Sequence, residues 1–146
     1  MSAKLKIVSW VLLTIVGSLT LLGSLGSVYV AYVADAKIDQ IGPMNLSELA
    51  AGRNDLEIAL RARRGTAAAF GTGYALLFLT IVLVPYRRGD VWAWWTLLIG
   101  TLATTGIILM RVSILGTKLG LAAATIPLAV NVVALLLDAG RLKPES

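Results

Sequence analysis

The chain has 146 residues, 58% of them hydrophobic and 14% charged, with a net charge of +5 and a mean hydropathy of +0.83. Soluble domains carry roughly 45–50% apolar and about 25% charged residues. A chain this short cannot hide the surplus in a core, which excludes an ordinary soluble enzyme, a disordered chain and a disulfide scaffold. Cysteine and histidine are absent, so thiolate and imidazole chemistry is missing. No catalytic residue, metal or cofactor is expected.

Four uncharged runs follow in chain order: 7–34, 65–86, 91–110 and 119–137. Each approaches or exceeds the roughly 20 residues that cross a bilayer core as a helix. The first run has a signal-peptide alternative, because Lys4 and Lys6 precede it and Ala34-Asp35-Ala36 resembles a cleavage site. Its length exceeds the roughly 7–15 residues of a signal core, so it reads as a transmembrane helix. The second run ends at Pro85 and the turn Arg87-Arg88-Gly89-Asp90; the third ends at Arg111; the fourth is closed by Asp138 and Gly140. Short connections make consecutive helices antiparallel neighbours. The fold expected is all-α: a polytopic membrane protein, one membrane domain over 1–146, with an antiparallel four-helix bundle.

The connection 35–64 is the one substantial piece outside the spans and is expected to lie as a cap on the bundle mouth. Asn45 is placed to cap a short helix over 46–51 that stops at Gly52. Asn54 and Glu57 have capping-box spacing at the start of the second long helix. Glu57 and Arg61 stand at i,i+4, suited to an ion pair.

The N-terminal side of a four-span chain carries Lys4, Lys6, Arg87, Arg88, Arg141 and Lys143. The other side carries Lys37, Arg53, Arg61, Arg63, Arg64, Arg111 and Lys118. The counts nearly balance, and the first helix decides: multi-pass in the bacterial inner membrane, both termini cytoplasmic. The positive charge is read as contact with anionic lipid headgroups and not with nucleic acid. Trp10, Tyr86, Trp92, Trp94 and Trp95 fall at one face, and Tyr29 and Tyr32 at the other, the belt of rings with one apolar and one wet end.

Small residues recur at four-residue spacing, in Gly116/Gly120/Ala124, Ala67/Gly71, Ala69/Gly73 and Gly100/Thr104, which lets helices approach closely. In the fourth span Pro127 frees a carbonyl and Asn131 puts an amide in hydrocarbon. Asn131 either glues two helices or polarises a cavity wall. Arg111 interrupts an apolar stretch and has two readings: pairing with an acid under the cap, or facing a pocket that holds an anionic headgroup or carboxylate. Arg61, Arg64, Asp35, Asp39 and Glu57 are expected at the same level. Phe70, Tyr74 and Phe78 form a stripe that is either core or the wall of a lipid-tail pocket. The candidate ligand-binding residues are therefore Arg111, Asn131, Asp35, Arg61, Arg64 and Tyr74.

The segment Arg61-x-x-Arg64-Gly65, the span bearing Gly71 and Gly73, Pro85-Tyr86-Arg87-Arg88-Gly89-Asp90 with Trp92-Ala93-Trp94-Trp95, and Arg111 together form a pattern. It resembles small uncharacterised bacterial four-helix membrane proteins, similar in layout to the DoxX-like group, over roughly residues 55 to 138. The resemblance implies a four-helix bundle and no assigned activity.

Three functions remain open. The leading one is binding, without catalysis, of a lipid, a hydrophobic ligand or a membrane partner subunit, with membrane lipids and a homo-oligomer or membrane-protein partner as companions. The second is a small oligomeric transporter or channel, although the spans hold no carboxylate to couple protons. The third is a lipid-modifying enzyme using Asp35, Asp39, Glu57 or Tyr74.

Overall fold

The computed structural model describes residues 3–118 and 121–142, and the chain is predominantly helical. The elements are α1 (Ala3–Tyr32), a hairpin of β1 (Gln40–Ile41) and β2 (Met44–Asn45), α2 (Leu46–Ala50), α3 (Asn54–Ile81), α4 (Val91–Leu115) and α5 (Leu121–Leu137). Among the described residues three helical segments are long and apolar enough to cross a membrane: Lys4–Tyr32, Asn54–Tyr86 and Val91–Leu115. α5 is apolar and shorter. Leu119, the start of the predicted fourth span, Gly120 of the small-residue stripe and Lys143 of the charge count lie outside the described residues.

The chain forms two compact units, Leu19–Leu76 on its own and Met1–Ser18 together with Leu77–Ser146. In the Leu19–Leu76 unit α1 and α3 run antiparallel. Gly71 meets Ser24, where an added Cβ would come within 2.7 Å of Oγ, and Gly65 lies under the Tyr32 ring. Of the predicted small-residue pairs, Gly71 thus sits at a helix contact, whereas Gly73 and Gly100 face open space.

The connection in this unit is more structured than a loop. A two-residue turn with Gly42 at φ +68 folds Gln40 onto Asn45 and Ile41 onto Met44 in an antiparallel pair. Asn45 then caps α2: its side chain accepts from the Glu48 N–H at 2.8 Å, and Glu48 accepts from the Asn45 N–H at 3.1 Å. This is the capping box, with two orphan donors met reciprocally. Ala51 at φ 48 and Gly52 at φ +78 end the helix. Leu46 and Ala50 are buried beneath it. α3 opens one residue earlier than its predicted cap. The Glu57 N–H donates to the Arg53 carbonyl, so Asn54 is already the first helical residue.

In the other unit the same two helices meet as Ser9 with Tyr86 and as Gly17 with Phe78 and Leu79. α4 and α5 are antiparallel here, because Trp94 meets Leu135 and Thr101 meets Asn131. Three sequence expectations change. The second span does not stop at Pro85, whose missing N–H is absorbed by a π-helical turn over Val82–Tyr86. Helix resumes through Arg88 until Gly89 turns at φ +100. The third span runs past Arg111 to Leu115, because Arg is a good helix former and the stop is Gly116 at φ +64. Phe70, Tyr74 and Phe78 do not share one environment: Phe78 is buried, while Phe70 is 77% exposed, since four-residue steps drift around a helix.

Gly17 offers a direct test of close packing. A Cβ there would lie 2.7 Å from Leu79 Cδ2 and 3.0 Å from Phe78 Cδ1. Gly17→Val should therefore lower stability by about 1–3 kcal/mol. Gly23→Val, with nothing within 4 Å, should leave the melting curve in detergent unchanged. Equal curves for the two variants would contradict the contact.

Candidate functional site

The six residues singled out from sequence fall into separate settings. Asp35 is exposed and accepts the Lys37 N–H at 2.9 Å, opening the connection after α1. Arg61 joins Glu57 at 3.0 Å, as the i,i+4 spacing anticipates. Its Nη1 also donates to the Ala34 carbonyl at 3.0 Å and the Ala31 carbonyl at 3.4 Å. The Ala31 carbonyl lies in the last turn of α1, where helical partners run out, and Ala34 follows just beyond the helix. Arg64, one turn on, pairs with the buried Asp39 and donates Nε to Ser27 Oγ at 3.2 Å. Both arginines thus tie the connection to the helices that flank it. Tyr74 is half-buried on α3.

Asn131 is buried and donates Nδ2 to Thr101 Oγ1 at 3.3 Å, a polar link between α5 and α4. Arg111 is exposed on the last turns of α4. It stands ten residues from Thr101 on that helix, about 15 Å along its axis. Asn131 and Arg111 are therefore not brought to one wall.

A different cluster gathers at the other end of α4 and α5. Tyr86, expected in the aromatic belt, is fully buried, and its hydroxyl shares a hydrogen bond with Ser9 Oγ at 2.6 Å. Trp94, also expected in the belt, is buried and donates Nε1 to the Leu135 carbonyl at 2.9 Å, meeting an acceptor in the last turn of α5. Trp92 and Trp95 are exposed, as belt residues are. Beyond α5 a 3-10 turn over Ala139–Leu142 brings Arg141 back toward the bundle. Its guanidinium lies 4.0 Å from the Tyr86 ring centroid, donates Nη1 to the Tyr86 carbonyl at 2.9 Å and pairs through Nη2 with the fully buried Asp138. The sequence carries a signal for this: an Asp and an Arg three residues apart directly after an apolar run.

A cleft of about 490 Å³ opens beside this cluster. Lys6, Arg87, Arg88 and Arg141 line it with charge; Ile7 and Trp10 line it with apolar surface; Tyr86 and Gly89 complete it. The Arg87 guanidinium stacks 5.0 Å over the Trp10 ring, holding one cation at the mouth. Among the described residues no group of three or more carboxylates gathers to hold a metal ion. Cations beside apolar surface suit an amphiphilic anion. None of the six sequence candidates lines this cleft. The chain matches no protein-family model, and comparison with curated proteins and with solved structures finds no match.

Proposed function

We propose that this chain is a multi-pass membrane protein that binds a lipid without catalysing a reaction on it. In this reading α5 is a fourth crossing, the protein sits in the bacterial inner membrane, and the Lys6–Arg88 end faces the cytoplasm. The observation that carries the proposal is the cleft in which Lys6, Arg87, Arg88 and Arg141 meet Ile7 and Trp10. Basic groups next to apolar surface at the ends of apolar helices match a lipid, whose polar head and hydrocarbon tail occupy the same pair of environments. The pattern of outward Leu, Ile and Val side chains on α1, α3 and α4 supports lipid contact over the helix lengths. The layout resemblance to the DoxX-like group belongs to the same reading and brings no activity with it.

Native mass spectrometry of the protein released from mild detergent tests the proposal. A bound phospholipid should remain as a mass adduct at gentle activation and should return when lipid is added to stripped protein. Bare protein under both conditions would remove the proposal.

A further inference from the structure

We infer that the hairpin between α1 and α3 is a lipid contact, its tip from Ile41 to Met44 resting in the interface of the bilayer. The inference needs α1 and α3 to cross a membrane, as the proposed function has them, but not the basic cleft to bind a lipid. The tip reads Ile41-Gly42-Pro43-Met44, and no charged residue stands between Asp39 and Glu48. Directly opposed residues of an antiparallel pair put their side chains on one face. Ile41 pairs with Met44, and Gln40 with Asn45, so the two apolar side chains share one face and the two amides the other. Asn45 spends its side chain on the cap of α2. The apolar face stays open: Gly42 and Pro43 are exposed, Met44 is 41% exposed and Ile41 is half-buried. Single exposed apolar side chains are ordinary; a contiguous uncharged tip on a pinned hairpin is not.

The base of the hairpin fixes its level. The Leu46 N–H donates to the Asp39 carbonyl at 2.8 Å and the Ser47 N–H to the Ala36 carbonyl at 3.4 Å. The buried Asp39 carboxylate pairs with Arg64 of α3. Arg64 is the last charged residue before the uncharged run 65–86, where α3 meets hydrocarbon. It also donates to Ser27, two residues before the exposed Tyr29 of α1, a ring of the kind that sits at headgroup level. Three residues at about 3.3 Å each carry the tip about 10 Å from Asp39, and a headgroup layer is about 5–8 Å deep. The path of the chain sets the direction. Asn54 opens α3 ten residues before Arg64, about 15 Å further out along that helix. From Leu46, at the level of Asp39, the chain must climb that distance through α2 and Ala51–Arg53, so α2 stands on the outer side of the hairpin. The amide face that caps α2 therefore looks outward, and the face of Ile41 and Met44 looks back toward the bilayer. An apolar, uncharged face at that depth gains by leaving water for lipid.

The chain has no cysteine, so one introduced thiol carries one label. Met44→Cys, Pro43→Cys, Arg53→Cys and Phe70→Cys are each labelled with a nitrobenzoxadiazole fluorophore and placed one copy to a nanodisc of phosphatidylcholine. Arg53 and the exposed Phe70 calibrate depth, lying roughly 16 Å outside Arg64 and roughly 9 Å inside it along α3. Nitroxide on the lipid headgroup should quench Met44→Cys and Pro43→Cys at least about threefold more than Arg53→Cys, and iodide in the buffer at least about threefold less. Circular dichroism must show wild-type helicity in each variant, and Pro43→Cys serves if Met44→Cys does not fold. Iodide quenching of the tip labels equal to that of Arg53→Cys overturns the inference. So does protection of the tip from iodide and lipid nitroxide alike, which identifies protein as its cover. In both cases Phe70→Cys, quenched by nitroxide on the acyl chain, leaves the membrane reading standing. Phe70→Cys open to iodide removes both.

Discussion

Arg141→Ala should cost about 3–5 kcal/mol of stability, the loss typical when one partner of a buried ion pair is removed. Asp138 is fully buried, so its carboxylate would be left in a low-dielectric setting without the Arg141 guanidinium. Two further contacts go with the side chain: the 2.9 Å hydrogen bond to the Tyr86 carbonyl and the stacking 4.0 Å over the Tyr86 ring. For a chain of this size the melting midpoint in detergent should fall by on the order of 10 °C. The cause is separable by a second change. Asp138→Asn added to Arg141→Ala removes the stranded charge and should recover at least half of the loss. Arg141→Lys should fall between wild type and Arg141→Ala, because a compact ammonium keeps the charge beside Asp138 but lacks the planar fork that reaches Asp138 and the Tyr86 carbonyl while stacking on the Tyr86 ring. If the double variant melts no higher than Arg141→Ala, the buried charge is not what destabilises it.

Long apolar runs are readable because hydropathy is a local property, and three of the four appear as helices long enough to cross a membrane. Local capping is readable in part: Asn45 caps α2 as its position suggests, in a box with Glu48 that the sequence reading does not anticipate, whereas Asn54, expected to open a capping box with Glu57, is already the first residue of α3. Glu57 and Arg61 pair at the expected spacing. Tyr86 is another matter. A tyrosine at the end of an apolar run has the pattern of an interfacial anchor, and its burial depends on Ser9, which lies 77 positions away. Four tryptophans look alike in sequence, yet Trp94 ends up buried against the Leu135 carbonyl while Trp92 stays exposed. Arg141 entered the reading as one more surface charge, although the structure leaves its side chain 7% exposed. Arg111 misled in the opposite sense, because a charge suggested a helix end while the helix was stopped by Gly116. Local signals thus set the elements, and long-range contacts choose which polar residues become a site.

The connection between α1 and α3 depends on one charged side chain in the same way. Arg64→Ala should expose the 35–53 segment to exchange, because Asp39 is 2% exposed and pairs with Arg64. The variant also loses the 3.2 Å hydrogen bond to Ser27. Stranding Asp39 should cost about 3–5 kcal/mol. The consequence has a specific reporter. The Leu46 N–H donates to the Asp39 carbonyl at 2.8 Å, at the point where the hairpin passes into α2. Hydrogen exchange at Leu46 should accelerate by on the order of a hundredfold to a thousandfold. Tryptophan fluorescence is a poor probe here, since the four tryptophans, at positions 10, 92, 94 and 95, all lie outside the Leu19–Leu76 unit. Arg53→Ala is the matched control. Its pair with Asp55 spans 3.7 Å with side chains 67% and 77% exposed, and such surface pairs contribute about 0–1 kcal/mol. Leu46 exchange in Arg53→Ala should therefore track wild type. Should Arg64→Ala exchange no faster than Arg53→Ala, the buried pair does not hold the connection, and its order comes instead from Leu46, Ala50 and the Asn45 cap.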